Sequence, residues 1–231
     1  MRTLKKILFM VGVFIAFKVI FFFAAELQRN SVQAEPSTAL SQQPTPDTLP
    51  SPGHHRYVVG NGMSVELPES WHLLSSDQIS AIKKRVPADG TPPNLTPLAA
   101  NSDSDAQRNT GIFRASFSAA SLTDADIKGA SKADLDEMCH LMAGPMGESL
   151  GKLGMKIVTA PSCSVAELAG KASVVTRYQR TDGVTDAVWQ VEMHQIPAGN
   201  GIAIITTSLK SGGDDKVRMQ LHDALHSIRW N

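Results

Sequence analysis

The 231-residue chain lacks most of the signatures that announce a chemistry. Its two cysteines, Cys139 and Cys163, are too few for a small disulfide-built scaffold, and they do not form a Cys-x-x-Cys pair. A Gly-x-Ser-x-Gly elbow, a glycine-rich phosphate loop ending in Lys-Ser/Thr and a dinucleotide fingerprint are all missing, so the motifs announce no catalytic nucleophile or cofactor. No internal repeat points to a solenoid. Aromatic residues make up 6% of the chain and charged residues 19%, too few charges for a typical disordered protein. Lysine plus arginine (22) balance aspartate plus glutamate (22), which gives no overall attraction to nucleic acid. What is present is 42% hydrophobic residues, enough to bury a core in one domain without an obligatory metal or disulfide.

The charge balance conceals a division. Residues 1–34 carry five Lys/Arg and one acid, whereas residues 35–231 carry seventeen and twenty-one. Arg2, Lys5 and Lys6 precede residues 7–25, a run of nineteen with Lys18 as its one charge. A helix of that run would measure roughly 28 Å, close to a bilayer core. Its basic flank keeps residues 1–6 cytoplasmic and sends the remainder across. The segment reads either as a single-pass inner-membrane anchor with a periplasmic domain behind it, or as a secretion signal cleaved at Val32-Gln33-Ala34. Residues 26–56 follow as a linker, with five of the thirteen prolines between positions 35 and 53 holding it extended.

Residues 57–231 read as the extracytoplasmic domain, with strand and helix periods alternating. Residues 63–67 and 111–117 predict strands, and residues 75–86 predict a helix carrying Ile79 and Ile82. Residues 87–109, dense in Pro, Asn, Ser and Asp, predict a long loop. Ser131 and Asp134 form a helix-start signature, and Leu135, Met138, Met142 and Met146 recur at core spacing behind it, with Gly144-Pro145 as a point of kinking or ending. Strand patterns follow at 156–160, 165–169, 171–181, 187–196 and 201–209. The Asp182-Gly183 and Pro197 to Gly201 connections make the last three an antiparallel meander. In its middle strand Trp189, Val191 and Met193 face one way and Gln190, Glu192 and His194 the other, so one face is apolar and the second at least partly polar. Residues 214–228 predict a closing helix.

Few residues are candidates for chemistry. His222 and His226 have the i, i+4 spacing of two metal ligands, but on a helical wheel they fall about 140° and 180° from Val217, away from the apolar stripe. No His-Glu-x-x-His pattern accompanies them, and no metal, cofactor or catalytic residue is assigned. Asp124, Asp126, Asp134, Asp136 and Glu137 lack calcium-loop spacing and sit at helix starts, where carboxylates meet the helix dipole. Cys139 and Cys163 are either a disulfide, natural in an oxidising compartment, or two buried thiols.

The order of elements, with Leu67-Pro68-Glu69-Ser70-Trp71, the strand end Thr206-Thr207-Ser208 and the exit Ser227-Ile228-Arg229, resembles the PsbP-like proteins. Their relatives include Ran-binding Mog proteins and DcrB-type bacterial envelope proteins. The resemblance covers about residues 57–230. It implies an α+β fold, an antiparallel sheet flanked by helices as an α/β/α sandwich, and a family of adaptors, chaperones and extrinsic subunits with no shared catalytic residue. The expectation is therefore a non-enzymatic envelope protein that binds another protein, with Arg177, Gln190, Glu192 and His194 as the partner surface and no nucleic-acid partner. A hydrolase or metal-dependent enzyme with a scattered site, and a toxin-immunity protein, are the alternatives.

Overall fold

The computed structural model describes residues 49–75, 98–119, 122–199 and 201–231. The segment 7–25 read as membrane-directing, most of the predicted linker, nearly all of the helix predicted over 75–86 and the first part of the loop predicted over 87–109 lie outside the described residues.

Among the described residues ten strands and three helices follow in order: β1 (His54–Gly60), β2 (Met63–Pro68), β3 (His72–Leu73), β4 (Leu98–Asn101), β5 (Gly111–Ser118), α1 (Asp124–Lys128), α2 (Lys132–Gly151), β6 (Ile157–Leu168), β7 (Lys171–Thr181), β8 (Val188–Ala198), β9 (Gly201–Lys210), α3 (Asp215–His226) and β10 (Arg229–Trp230). Every pairing is antiparallel. One sheet has the order β1-β2-β10, and a seven-stranded sheet has the order β3-β4-β5-β9-β8-β7-β6. The β7-β8-β9 meander sits in the larger sheet as the hairpin chemistry predicts, with β5 added beside β9.

Because side chains alternate along a strand, each face of the larger sheet has its own core. Val174 and Tyr178 of β7, Val191 and Met193 of β8, and Ile202 and Ile204 of β9 meet Ile127 of α1 and Leu135, Met138, Met142 and Met146 of α2. On the second face Phe113, Ala115, Phe117, Ile196, Ala203 and Ile205 meet Leu221 and Ala224 of α3 together with Val65 and Leu67 of β2. This second cover is a helix plus a small sheet, where a helix alone was expected.

Local chemistry starts the helices. Ser131 Oγ accepts from the Asp134 amide at 3.2 Å while Asp134 accepts from the Ser131 amide at 3.1 Å, a reciprocal cap that satisfies amides without helical partners. Thr123 and Asp126 repeat the arrangement at α1. Pro145 lies inside α2 without ending it, and the helix runs on to Gly151. A disulfide joins Cys139 of α2 to Cys163 of β6 across a Cα separation of 5.8 Å.

Four sequence expectations need correction. His54 to Arg56, read as linker, already belong to β1. The loop predicted over 87–109 contains β4, whose four residues are all buried. The two runs 156–160 and 165–169 are one edge strand, β6, with register shifts between Ile157 and Ser162, where Pro161 interrupts the ladder. The helix predicted to 228 stops at His226, and Arg229 and Trp230 return as a strand opposite Ser64 and Met63.

Candidate functional site

The expected partner surface lies on the second face of the larger sheet, toward the β6 edge. Period-two alternation on β7 sends Ser173, Val175, Arg177 and Gln179 to this face. Arg177 stands opposite Glu192, Val175 opposite His194 and Gln179 opposite Gln190. The Arg177 Nε donates to Glu192 Oε2 at 2.6 Å, and its Nη1 donates to Ser164 Oγ of β6 at 3.2 Å. The other Glu192 oxygen, Oε1, is 2.8 Å from His194 Nε2, and His194 Nδ1 is 3.1 Å from Ser173 Oγ. Ser164, Arg177, Glu192, His194 and Ser173 thus form one chain of polar contacts across three strands.

The hydrogen bond with His194, reinforced by Arg177 against the cost of burial, holds the Glu192 carboxyl down at about 2. A carboxylate that orients an imidazole beside a serine hydroxyl has the residue types of an acyl-transfer triad. Its placement argues for another role. Ser173 has no exposed surface and His194 is 5% exposed, so the hydroxyl offers no approach to a substrate, while Arg177 already neutralises the carboxylate. The chain pins β7 to β8 and fixes the outward-facing Arg177.

Of the four residues the sequence placed here, Arg177, Glu192 and His194 are brought together. Gln190 lies outside the chain, exposed and opposite Gln179. His194 corrects an expectation: it supports the surface from below and does not form part of it. Ser173 and Ser164 were not singled out from sequence, although the alternation on β7 through Arg177 carried the signal for Ser173. Around Arg177 the exposed face continues through Thr159, whose hydroxyl donates to Gln179 Oε1 at 2.9 Å, and Ser162. Beside it runs β6, which among the described residues is paired on one side only, with Val158 51% and Val165 40% exposed.

The remaining candidates are accounted for locally. His222 and His226 stand on the exposed side of α3 with ring centroids 4.2 Å apart. Among the described residues no group of three or more His, Cys, Asp or Glu is arranged to hold a metal. Asp126 and Asp134 cap helices, Asp124 pairs with Lys128 one turn on, and Asp136 pairs with Lys132 one turn back.

No family model matches the chain, and no curated protein matches it. Several solved structures resemble it at low identity. Cyanobacterial PsbP (CyanoP) from Synechocystis is 12% identical, with a TM-score of 0.45 and coverage of 81% of this chain and 98% of that one. LpqN of Mycobacterium tuberculosis, a protein involved in cell envelope biogenesis, is 12% identical, with a TM-score of 0.34 and coverage of 72% and 82%. A crystal structure from Bacteroides thetaiotaomicron is 9% identical with a TM-score of 0.42; the alignment takes in 78% of this chain but only 49% of that protein, about half its length. The described residues themselves are mostly antiparallel sheet with a few helices.

Proposed function

We propose that this chain is a non-enzymatic protein of the bacterial cell envelope that binds another protein, in the manner of an adaptor or chaperone. It is held at the inner membrane by residues 7–25, or released into the periplasm by cleavage near Ala34. The observation that carries the reading is the open polar half of the second sheet face, Thr159, Ser162, Arg177, Gln179, Gln190 and Glu192, running into the unpaired edge of β6. An uncovered sheet edge offers a row of backbone donors and acceptors to an incoming segment, and fixed side chains beside it supply selectivity. The Cys139–Cys163 bond is consistent with an oxidising compartment.

Photocrosslinking residues placed at Gln190, at Val158 and, as a control, at Met219 on α3 test the reading in intact envelopes. Adducts of one mass from positions 190 and 158, and not from 219, are the expected outcome. The same adducts from all three positions, or none from the first two, overturn it.

A hydrolase as the second reading rests on the residue types of the Ser173–His194–Glu192 chain alone, since its serine is buried. Covalent labelling of Ser173 by a fluorophosphonate would establish that reading. An unlabelled protein leaves the binding role standing.

A further inference from the structure

α3 turns one side to the core and the other to water. Leu221 and Ala224 are buried in the second core, with Val217 and Leu225 packed against it. Gln220 accepts from the Trp71 indole, and the Ser227 amide closes the last turn on the Asp223 carbonyl at 2.8 Å. The helix is thus held in place down to its final residue, and its outward side chains stand on a rigid support. Two of them are His222 and His226, both exposed and one turn apart.

Residues four apart on a helix share a face. The two ring centroids lie 4.2 Å apart, with the ring planes tilted by 45°. A divalent cation bonded at about 2.0 Å to one nitrogen of each ring would set the ring centres about 4.5 Å apart at a right angle and about 5.2 Å apart at a tetrahedral one. The observed spacing is close to the first value, so the two exposed rings need turn only slightly to close a chelate. The smaller angle suits the tetragonal geometry of copper(II).

The surroundings favour a cation. His226 is the last residue of α3, where the carbonyl end of the helix carries partial negative charge. Asp223 Oδ1 lies 3.6 Å from His222 Nδ1, on the side from which a carboxylate steers one ring N–H and leaves Nε2 to a metal. Of the nearby arginines, Arg218 is paired with Asp215, and Arg229 donates through Nη1 to the carbonyls of His226 and Ile228. Among the described residues no third His, Cys, Asp or Glu joins the pair as a ligand, which leaves the other coordination positions to water.

We propose that His222 and His226 form a two-imidazole site for a late-transition divalent cation, copper(II) above all, on the last turn of α3. Copper(II) stands at the head of the divalent affinity order and accepts imidazole nitrogens in a tetragonal set. With two protein ligands the site is an exchangeable one, and it is independent of the reading of the β6 face.

Labelling of histidines by diethyl pyrocarbonate, mapped by mass spectrometry on the untagged full chain in detergent, tests the site. One equivalent of copper(II) should protect His222 and His226 together, magnesium should protect neither, and His140, exposed on α2, serves as the reference. The sharper readout is reciprocity. With copper present, H222N should leave His226 open to the reagent and H226N should leave His222 open, each with a roughly tenfold or greater loss of copper affinity, at least the loss caused by removing a ligand's orienting partner. Equal labelling of both histidines with and without copper overturns the proposal, as does protection of His226 in H222N equal to that in wild type. Both rings are exposed, so the variants should melt at the wild-type temperature in the presence of a chelator. If either unfolds, the wild-type labelling decides alone.

Discussion

Cys139 of α2 and Cys163 of β6 are covalently joined, which fastens the long helix to the edge strand of the larger sheet. The two lie 24 positions apart in sequence, for which chain-entropy arguments assign the bond about 3.5 kcal/mol. C139S/C163S, or wild type under reductant, is expected to lose roughly that much in urea unfolding. Superimposable curves for the oxidised and reduced protein would show that the bond contributes nothing.

Glu192 supplies a pH dependence. Its folded-state value of about 2 lies below the ordinary 4.5, so its contribution is complete above about pH 4.5 and is lost as pH falls toward 2. E192Q removes that contribution. The difference in unfolding free energy between wild type and E192Q should be constant from pH 6 to 8 and shrink below about 4.5. A difference that stays flat down to pH 2.5 would contradict the ion pair and the hydrogen bond together.

Trp71 is 5% exposed and donates its indole N–H to Gln220 Oε1 of α3 at 3.0 Å. W71F keeps most of the ring and loses the hydrogen bond, at about 1 kcal/mol. W71A also leaves a cavity beneath α3 and should cost about 3–5 kcal/mol by chemical denaturation. Equal losses for the two variants would mean that the ring itself packs against little.

Gly201 opens β9 where it crosses β5. A Cβ there would run into the carbonyl oxygen of Ser118, and backbone cannot swing aside as the end of a side chain can. G201A should therefore cost about 1–3 kcal/mol, read as a lowered melting temperature. Hydrogen exchange is expected to rise first at Ile202 and Ser118, which are paired.

How much of this could be read from sequence depends on where each signal resides. The β7-β8-β9 meander and α2 carry theirs locally, in glycine turns, the Ser131 cap and the alternation of Trp189, Val191 and Met193. β4 does not: Leu98, Ala99, Ala100 and Asn101 are buried on both faces, so no alternation survives, and alanine is a weak strand former. β10 is two residues long and exists because Ser64 and Met63, far away in sequence, present β2 to it. The candidate site divides in the same way. Period two correctly put Arg177, Glu192 and His194 on one face, but which of them is covered depends on the layer above, so the burial of His194 was invisible.

The small sheet also determines how the fold meets mechanical tension. β1 and β10 flank β2 on either side and both run antiparallel to it, so they are parallel to each other. His54 enters beside Pro68 at one end of β2, and Trp230 leaves beside Met63 at the other. Opposed pulls on the residues before His54 and on Trp230 therefore act along the strands in shear. The hydrogen bonds flanking β2 must then give way together, which lets so small a sheet resist a steady pull on its two ends.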